Sequence, residues 1–273
     1  MGKFDGILIC TDLDGTLYRN DKTISEENRE AIEYFKREGG YFTFITGRMP
    51  YYSQNAYNAV NPNVPFGCIN GGGVYDGEKG EYVWVTHLPA DVTELVACIE
   101  EAFPEAGIQA STYYHTYFSR MNDAMEIFRQ RSALPDLRKN YRDVDEPVGK
   151  VIFATFQEEE ILGIERTLRT HPRAQDFDFI RSEQTLFEIL PKGVNKGLAL
   201  DKLIEYLKLD AKKTVAIGDY FNDISMFGPA GLGVAVANAC QAAKDAADVV
   251  TVSNEEHAIA RVIYDLENGK LVL

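Results

Sequence analysis

Cysteine is scarce and scattered in this chain. Cys10, Cys68, Cys98 and Cys240 stand far apart and include no Cys-x-x-Cys pair. That spacing excludes a zinc-ribbon pattern and a disulfide framework, and predicts buried thiols of a reducing compartment. His87, His115, His171 and His257 are as dispersed and show no metal-ligand spacing. Basic residues are in deficit, 28 against 42 acidic ones, for a net charge of −14. Such a balance opposes any general affinity for nucleic acid or an anionic membrane, so neither partner is expected. It would also repel a phosphorylated molecule, so a site for one needs local positive charge from a metal or a lysine. Apolar runs are too short to span a bilayer, and Asp5 and Asp12 flank the only one near the N-terminus, which argues against a secretory signal. Gly2 opens no acylation motif, because position 6 is glycine. Internal repeats, low-complexity tracts and coiled-coil heptads are missing too. The expectation is a soluble cytoplasmic protein.

What the chain does contain is a globular apolar fraction of 45% in 273 residues, enough for one large domain or two moderate ones. Its organising stretch is Ile7-Leu8-Ile9-Cys10-Thr11-Asp12-Leu13-Asp14-Gly15-Thr16-Leu17, an apolar run that ends in two carboxylates, a glycine and a threonine. It reads as a strand covered on both faces, with chemistry at its tip. A helix over about 26–38, capped by Ser25, leads to a strand 41–45 that stops at Thr46-Gly47-Arg48. A helix over 51–60 and a short strand ending at Asn70-Gly71 follow. Strand, helix, strand, helix, strand predicts a doubly wound, mainly parallel α/β sheet.

Near Val74 the pattern changes. Asp76-Gly77 between apolar pieces predicts a hairpin, and the helices and strands beyond it describe an inserted α+β unit. Within that unit 134–148, rich in charge and proline, is the expected mobile loop. The doubly wound pattern resumes with a strand at 186–190, a helix at 195–207 and a strand 214–217 that ends in Gly218-Asp219. The expected division is therefore a core of residues 1–84 and 184–273, with an insert of residues 85–183.

Four strand or helix ends now carry polar groups: Asp12 with Asp14, Thr46, Lys196, and Asp219 with Asn222 and Asp223. Together they supply what phosphoryl transfer through an enzyme carboxylate needs. A carboxylate that attacks phosphorus splits one hard hydrolysis into two easier steps. Two anions repel, so the attack calls for Mg²⁺, a hard cation that takes oxygen ligands such as Asp12 and Asp219. Lys196 offers a fixed cation for the phosphoryl oxygens, and Thr46 with the backbone N–H groups around Leu13 and Gly47 offers hydrogen bonds. Asp14 is placed to protonate the leaving oxygen and later to deprotonate water. An EF-hand reading of Asp12 and Asp14 fails, because the sixth loop position is Leu17 and the twelfth is Thr23.

With these residues in place the chain resembles the haloacid-dehalogenase-like superfamily, in particular its Cof-type sugar-phosphatase branch. The resemblance rests on Asp12-Leu13-Asp14-Gly15-Thr16-Leu17, Thr46-Gly47-Arg48, Asn70-Gly71, Lys196-Gly197, Gly218-Asp219-Tyr220-Phe221-Asn222-Asp223 and Asn238-Ala239, in family order. It implies a Rossmann-like core with an inserted cap that sets substrate specificity. Asp12 would be the nucleophile and Asp14 the acid and base. Mg²⁺ would lie on Asp12, the Asp14 backbone carbonyl and Asp219. Thr46, Gly47, Lys196 and Asn222 would hold phosphate, with Asp223 supporting the metal waters or Lys196. The implied activity is Mg²⁺-dependent hydrolysis of small phosphorylated metabolites, sugar phosphates first. Arg48, Asn70, Tyr114, His115 and Arg181 are the candidate substrate contacts, the last three in the cap. Two positions depart from the branch pattern: Asn195, where serine is frequent, and His257, where glycine is frequent. A phosphomutase using the same intermediate, or a sensor of phosphorylated ligands that keeps the fold without catalysis, are the competing readings.

Overall fold

The computed structural model describes residues 2–273. Strand β1 (Leu8–Thr11) is buried along its whole length. Helix α1 (Glu26–Arg37) starts where the Ser25 side chain accepts the Asn28 N–H. It carries Glu26 and Glu27 in its first turn and Lys36 and Arg37 in its last, as its dipole favours. Ala31, Ile32 and Phe35 form its buried face. Strand β2 (Tyr41–Phe44), helix α2 (Gln54–Val60) and strand β3 (Phe66–Cys68) follow. The expected hairpin is present: β4 (Gly73–Asp76) and β5 (Glu81–Val85) pair antiparallel, and the Asp76 carboxylate accepts the N–H groups of Glu78 and Lys79 in the turn.

The chain divides into two compact units, one ending at Val85 and resuming at Asn195–Leu273, the other Thr86–Val194. The second holds α3 (Val92–Ala102), β6 (Gly107–Thr112), β7 (Thr116–Arg120), α4 (Asp123–Arg131), β8 (Val148–Ala154), α5 (Glu158–Thr170), β9 (Phe177–Glu183) and β10 (Leu186–Pro191). Its sheet runs β7-β6-β8-β10-β9, and every neighbouring pair is antiparallel. Ile108, Ala110, Val151, Phe153, Phe187 and Ile189 on one face of that sheet share a core with Leu95, Val96 and Ile99 of α3 and Ile161, Ile164 and Leu168 of α5.

Two sequence expectations are corrected here. The strand at 186–190 belongs to this antiparallel sheet, between β8 and β9, and not to the parallel sheet of the core. Only Gln184 and Thr185 separate it from β9, a hairpin-length link, whereas a return to a parallel neighbour needs a crossover of about a dozen residues. The boundary consequently falls after Val194 and not at 184. Segment 134–148 is tied down at several points, which its polar composition does not convey. Phe118 N–H donates to the Leu137 carbonyl at 2.8 Å, Tyr141 N–H to Ser119 Oγ at 3.0 Å, and the buried Tyr141 hydroxyl to Glu100 at 3.1 Å.

Returning to the first unit, the chain forms α6 (Lys196–Leu207), β11 (Thr214–Gly218), α7 (Ile224–Phe227), β12 (Leu232–Ala235), α8 (Gln241–Ala246), β13 (Val249–Val250) and α9 (Ala258–Glu267). These complete a parallel sheet in the order β13-β12-β11-β1-β2. β1 lies between β11 and β2, the place in a doubly wound sheet where neighbouring crossovers diverge and ligands bind beyond the carboxyl ends. Asn195 caps α6, accepting the Leu198 N–H at 3.0 Å, as a serine would. His257 adopts φ +62°, ψ +50°, the left-handed conformation that glycine takes most easily, at the start of α9. Among the described residues no helix is long and apolar enough to cross a membrane.

Candidate active site

The carboxyl ends of β1, β2 and β11 bring the site together. Asp12 N–H donates to the Ile217 carbonyl of β11 at 2.8 Å, and Ile45 N–H beyond β2 donates to Thr11 at 2.9 Å. Asp12 is thereby fixed at the tip of a strand paired on both sides. Lys196, the first residue of α6 and 1% exposed, places Nζ 2.5 Å from Asp12 Oδ1 and 2.6 Å from Asp223 Oδ1. Gly197 makes this reach possible: a β-carbon there would lie 2.1 Å from the Ser225 carbonyl oxygen, so α6 meets α7 at backbone distance. The other Asp223 oxygen accepts the N–H groups of Asp219 and Tyr220, each at 2.9 Å, and shapes the loop that presents Asp219.

Asp12, Asp219 and Asp223 have carboxylate oxygens within 4.8 Å of one another. Thr16 Oγ1 donates to Asp219 Oδ1 at 3.2 Å. Gly15 sits at φ +90°, and a β-carbon there would come 2.5 Å from Asp219 Oδ2, so the approach of the two turns requires glycine.

The charges strain against this burial. Loss of solvent pushes the Asp12 carboxyl well above the ordinary carboxylate range, against the pull of Lys196 and with the push of Asp223, Asp219 and Asp14. Asp219 is raised to about 7, by burial first and then by Asp223. Burial alone would lower Lys196, but Asp12 and Asp223 more than reverse this and hold it charged. One lysine thus faces three carboxylates.

Asp14 stands in a different environment. Its carboxylate is forked by Arg48, with Nε 2.9 Å from Oδ2 and Nη2 2.8 Å from Oδ1, and Lys22 Nζ lies 3.0 Å from Oδ1. Burial raises its pKa, and the Arg48 and Lys22 contacts outweigh that and lower it. Sequence reasoning assigned Arg48 to substrate and did not single out Lys22. Lys22 lies eight positions beyond Asp14 in a turn at φ +64°, and no spacing rule marks such a loop return.

Thr46, Gly47, Asn70 and Asn222 meet beyond the carboxyl end of β2. Thr46 Oγ1 accepts the Arg48 N–H at 3.2 Å, its carbonyl accepts the Asn70 N–H at 3.0 Å, and Asn222 Nδ2 donates to Asn70 Oδ1 at 3.3 Å. A β-carbon on Gly47 would lie 2.8 Å from that same Asn70 oxygen. Ile69 and Asn70 are both left-handed, at φ +53° and +52°. For the β-branched Ile69 this is a strained state, and it sets the buried Asn70 between the two loops.

The remaining candidates belong to the second unit. Tyr114 is 65% exposed, its backbone N–H on Thr112 Oγ1. His115 Nδ1 lies 3.0 Å from Glu146, a carboxylate that also accepts from Thr112 and Tyr117. Arg181 forks Glu158 at 2.8 and 2.6 Å and reaches the Gln184 carbonyl.

Residues 9–263 match the model of the haloacid dehalogenase-like hydrolase family. The chain is an enzyme of that family, as its residues led one to expect. It is 32% identical over 265 residues to the 5-amino-6-(5-phospho-D-ribitylamino)uracil phosphatase YitU of Bacillus subtilis, covering 94% of this chain and 96% of that protein. With the pyridoxal phosphate phosphatase YbhA of Escherichia coli it shares 28% over 269 residues, covering 94% and 97%. A haloacid dehalogenase-like hydrolase from Bacteroides thetaiotaomicron superposes with a TM-score of 0.85 at 26% identity, covering 95% of this chain and 99% of that one.

Proposed function

We propose that this chain hydrolyses small phosphate monoesters, sugar phosphates foremost, with Mg²⁺ and through an aspartyl phosphate on Asp12. The observation that carries the reading is the buried lysine shared by Asp12 and Asp223 beside Asp219. The relatives add support, since two are named for phosphatases of small phosphorylated molecules.

The donor set fits Mg²⁺. Hard carboxylate oxygens of Asp12, Asp219 and Asp223 converge, three acidic groups around the single cation of Lys196. Asp12, the Asp14 backbone carbonyl and Asp219 would hold the ion, which when bound neutralises charge between the nucleophile and the phosphoryl oxygens.

The protein's own groups do the rest. Lys196 pins one Asp12 oxygen and leaves the other to form the bond to phosphorus, while the bond from phosphorus to the leaving oxygen breaks. The leaving oxygen takes a proton from Asp14 and departs as an alcohol. Water then attacks phosphorus and gives its proton to the Asp14 carboxylate, and the bond from phosphorus to Asp12 breaks to free phosphate. Arg48 and Lys22 favour the ionised form of Asp14 that the second step uses, and the protonated form that the first step uses requires Asp14 to leave this fork. Thr46, the Gly47 N–H, Asn222 and Lys196 steady the phosphoryl oxygens.

A panel of phosphate esters assayed with and without Mg²⁺ tests this, with Asp12→Ala as the control. Phosphate release that requires Mg²⁺, falls with EDTA and disappears in Asp12→Ala is expected. Turnover insensitive to chelator, or equal in Asp12→Ala, would overturn it. An isomeric sugar phosphate formed without free phosphate would favour phosphotransfer instead.

A further inference from the structure

The motif Asn238-Ala239 has no part in the chemistry above, yet Asn238 touches the turn that carries it. Its Nδ2 donates to the Gly15 carbonyl at 2.8 Å, and its Oδ1 accepts the Asn254 N–H at 2.9 Å. A backbone N–H only donates and a carbonyl only accepts, so this pair of partners fixes the orientation of the amide. The loop that bears Asn238 also reaches the Asp219 turn, for Cys240 N–H donates to the Asp219 carbonyl at 2.9 Å and Val236 N–H to Gly218 at 3.2 Å. One short loop thus holds both acidic turns. Gly15 has no side chain by which its peptide could be held, and at φ +90° against Asp219 it can have none. Its carbonyl is the available handle.

Asn254, 1% exposed, braces this contact from behind. Its Nδ2 donates to the Tyr18 carbonyl at 3.0 Å, and its neighbour Glu255 accepts the Asn20 N–H at 2.7 Å and Arg19 Nε at 3.0 Å. The loop so anchored is the one that returns Lys22 to Asp14.

We propose that Asn238 is a positioning residue: by holding the Gly15 peptide it sets the aim of Asp14 and the spacing of the Asp12 and Asp219 turns, with Asn254 as its brace. The inference rests on the phosphatase reading given above. It predicts a loss in kcat with little change in KM, because substrate groups are not touched. A hydrogen bond of ordinary strength, felt only when the reacting groups must align, corresponds to roughly tenfold in rate.

Two variants separate positioning from mere support. Asn238→Asp keeps the acceptor for the Asn254 N–H but cannot donate to Gly15, whereas Asn238→Ala removes both contacts without adding charge. In both, kcat for the best phosphate ester at saturating Mg²⁺ is expected to fall about tenfold with KM within twofold. The melting temperature should drop in both variants but by different amounts, since Asn238→Ala loses both contacts whereas Asn238→Asp keeps one and sets a carboxylate oxygen against the Gly15 carbonyl. A kcat within twofold of wild type in either variant, or a change confined to KM, would overturn the proposal. So would a kcat loss that follows the melting temperature across the two. Asp12→Ala run alongside keeps the readings apart: if it is inactive while the Asn238 variants match wild type, only the positioning role fails, and if it turns over normally the phosphatase reading fails first.

Discussion

Replacing Lys196 with methionine takes away the cation lodged between Asp12 and Asp223, at 2.5 and 2.6 Å, and leaves a side chain of similar length in the same buried slot. Packing changes little, so the effect is electrostatic. Removing one partner of a buried ion pair typically costs about 3–5 kcal/mol, because the other charge stays buried without compensation. Here two carboxylates are left, with Asp219 close by. At roughly 2–3 kcal/mol per molar urea for the dependence on denaturant, the midpoint should fall by about 1–2 M without Mg²⁺ near neutral pH. Trp84, the single tryptophan, lies in β5 of the same unit, so its fluorescence reports on the unit that holds the site. The loss should shrink when Asp223→Asn is added, since one buried charge goes with it, and when Mg²⁺ is supplied. A midpoint for Lys196→Met within about 0.2 M of wild type would refute the account of Lys196 as the compensating charge. So would a loss that neither Asp223→Asn nor Mg²⁺ reduces.

Gly15→Ala should lower stability by about 1–3 kcal/mol in urea titrations and reduce phosphate release by about 100-fold, because its β-carbon would strike Asp219 Oδ2 at a left-handed φ. His257→Gly should raise stability by up to about 1 kcal/mol, seen as a melting temperature higher by a few degrees, since it relieves the left-handed conformation at the cost of an exposed contact to Glu27. Stability should also fall steeply with alkaline pH. Burial raises the Cys10 and Cys68 thiols, and burial with the Glu100 hydrogen bond raises the Tyr141 hydroxyl to about 12, so the unfolded chain gives up these protons first. The stabilisation is complete below the unfolded pKa values, about 8.5 for cysteine and 10 for tyrosine, and is lost above them at about 1.4 kcal/mol per pH unit and group. Urea titrations from pH 8 to 11 that show no slope would contradict this.

Much of the frame was legible in the sequence because it is local. Alternation of apolar strands with capped helices marked the parallel sheet, and Asp12, Thr46 and Asp219 were visible because each stands where an apolar run stops. Strand β10 was misplaced because a short apolar run carries no information about its partner. The two-residue link to β9 decided that, once β9 extended to Glu183.

By itself, then, the sequence determined the doubly wound frame, the family and the set of acidic and basic groups at the strand ends, since apolar period and chain order are properties of neighbouring residues. Only the tertiary structure decided how those groups divide among themselves. Lys196 is shared by Asp12 and Asp223 because Gly197 lets α6 approach α7 at backbone distance. Asp14 is held by Arg48 and Lys22, and the Gly15 carbonyl by Asn238, 223 positions along the chain. Such pairings follow from loops that meet in space, and single-residue chemistry cannot state which partner a charge or an amide will find.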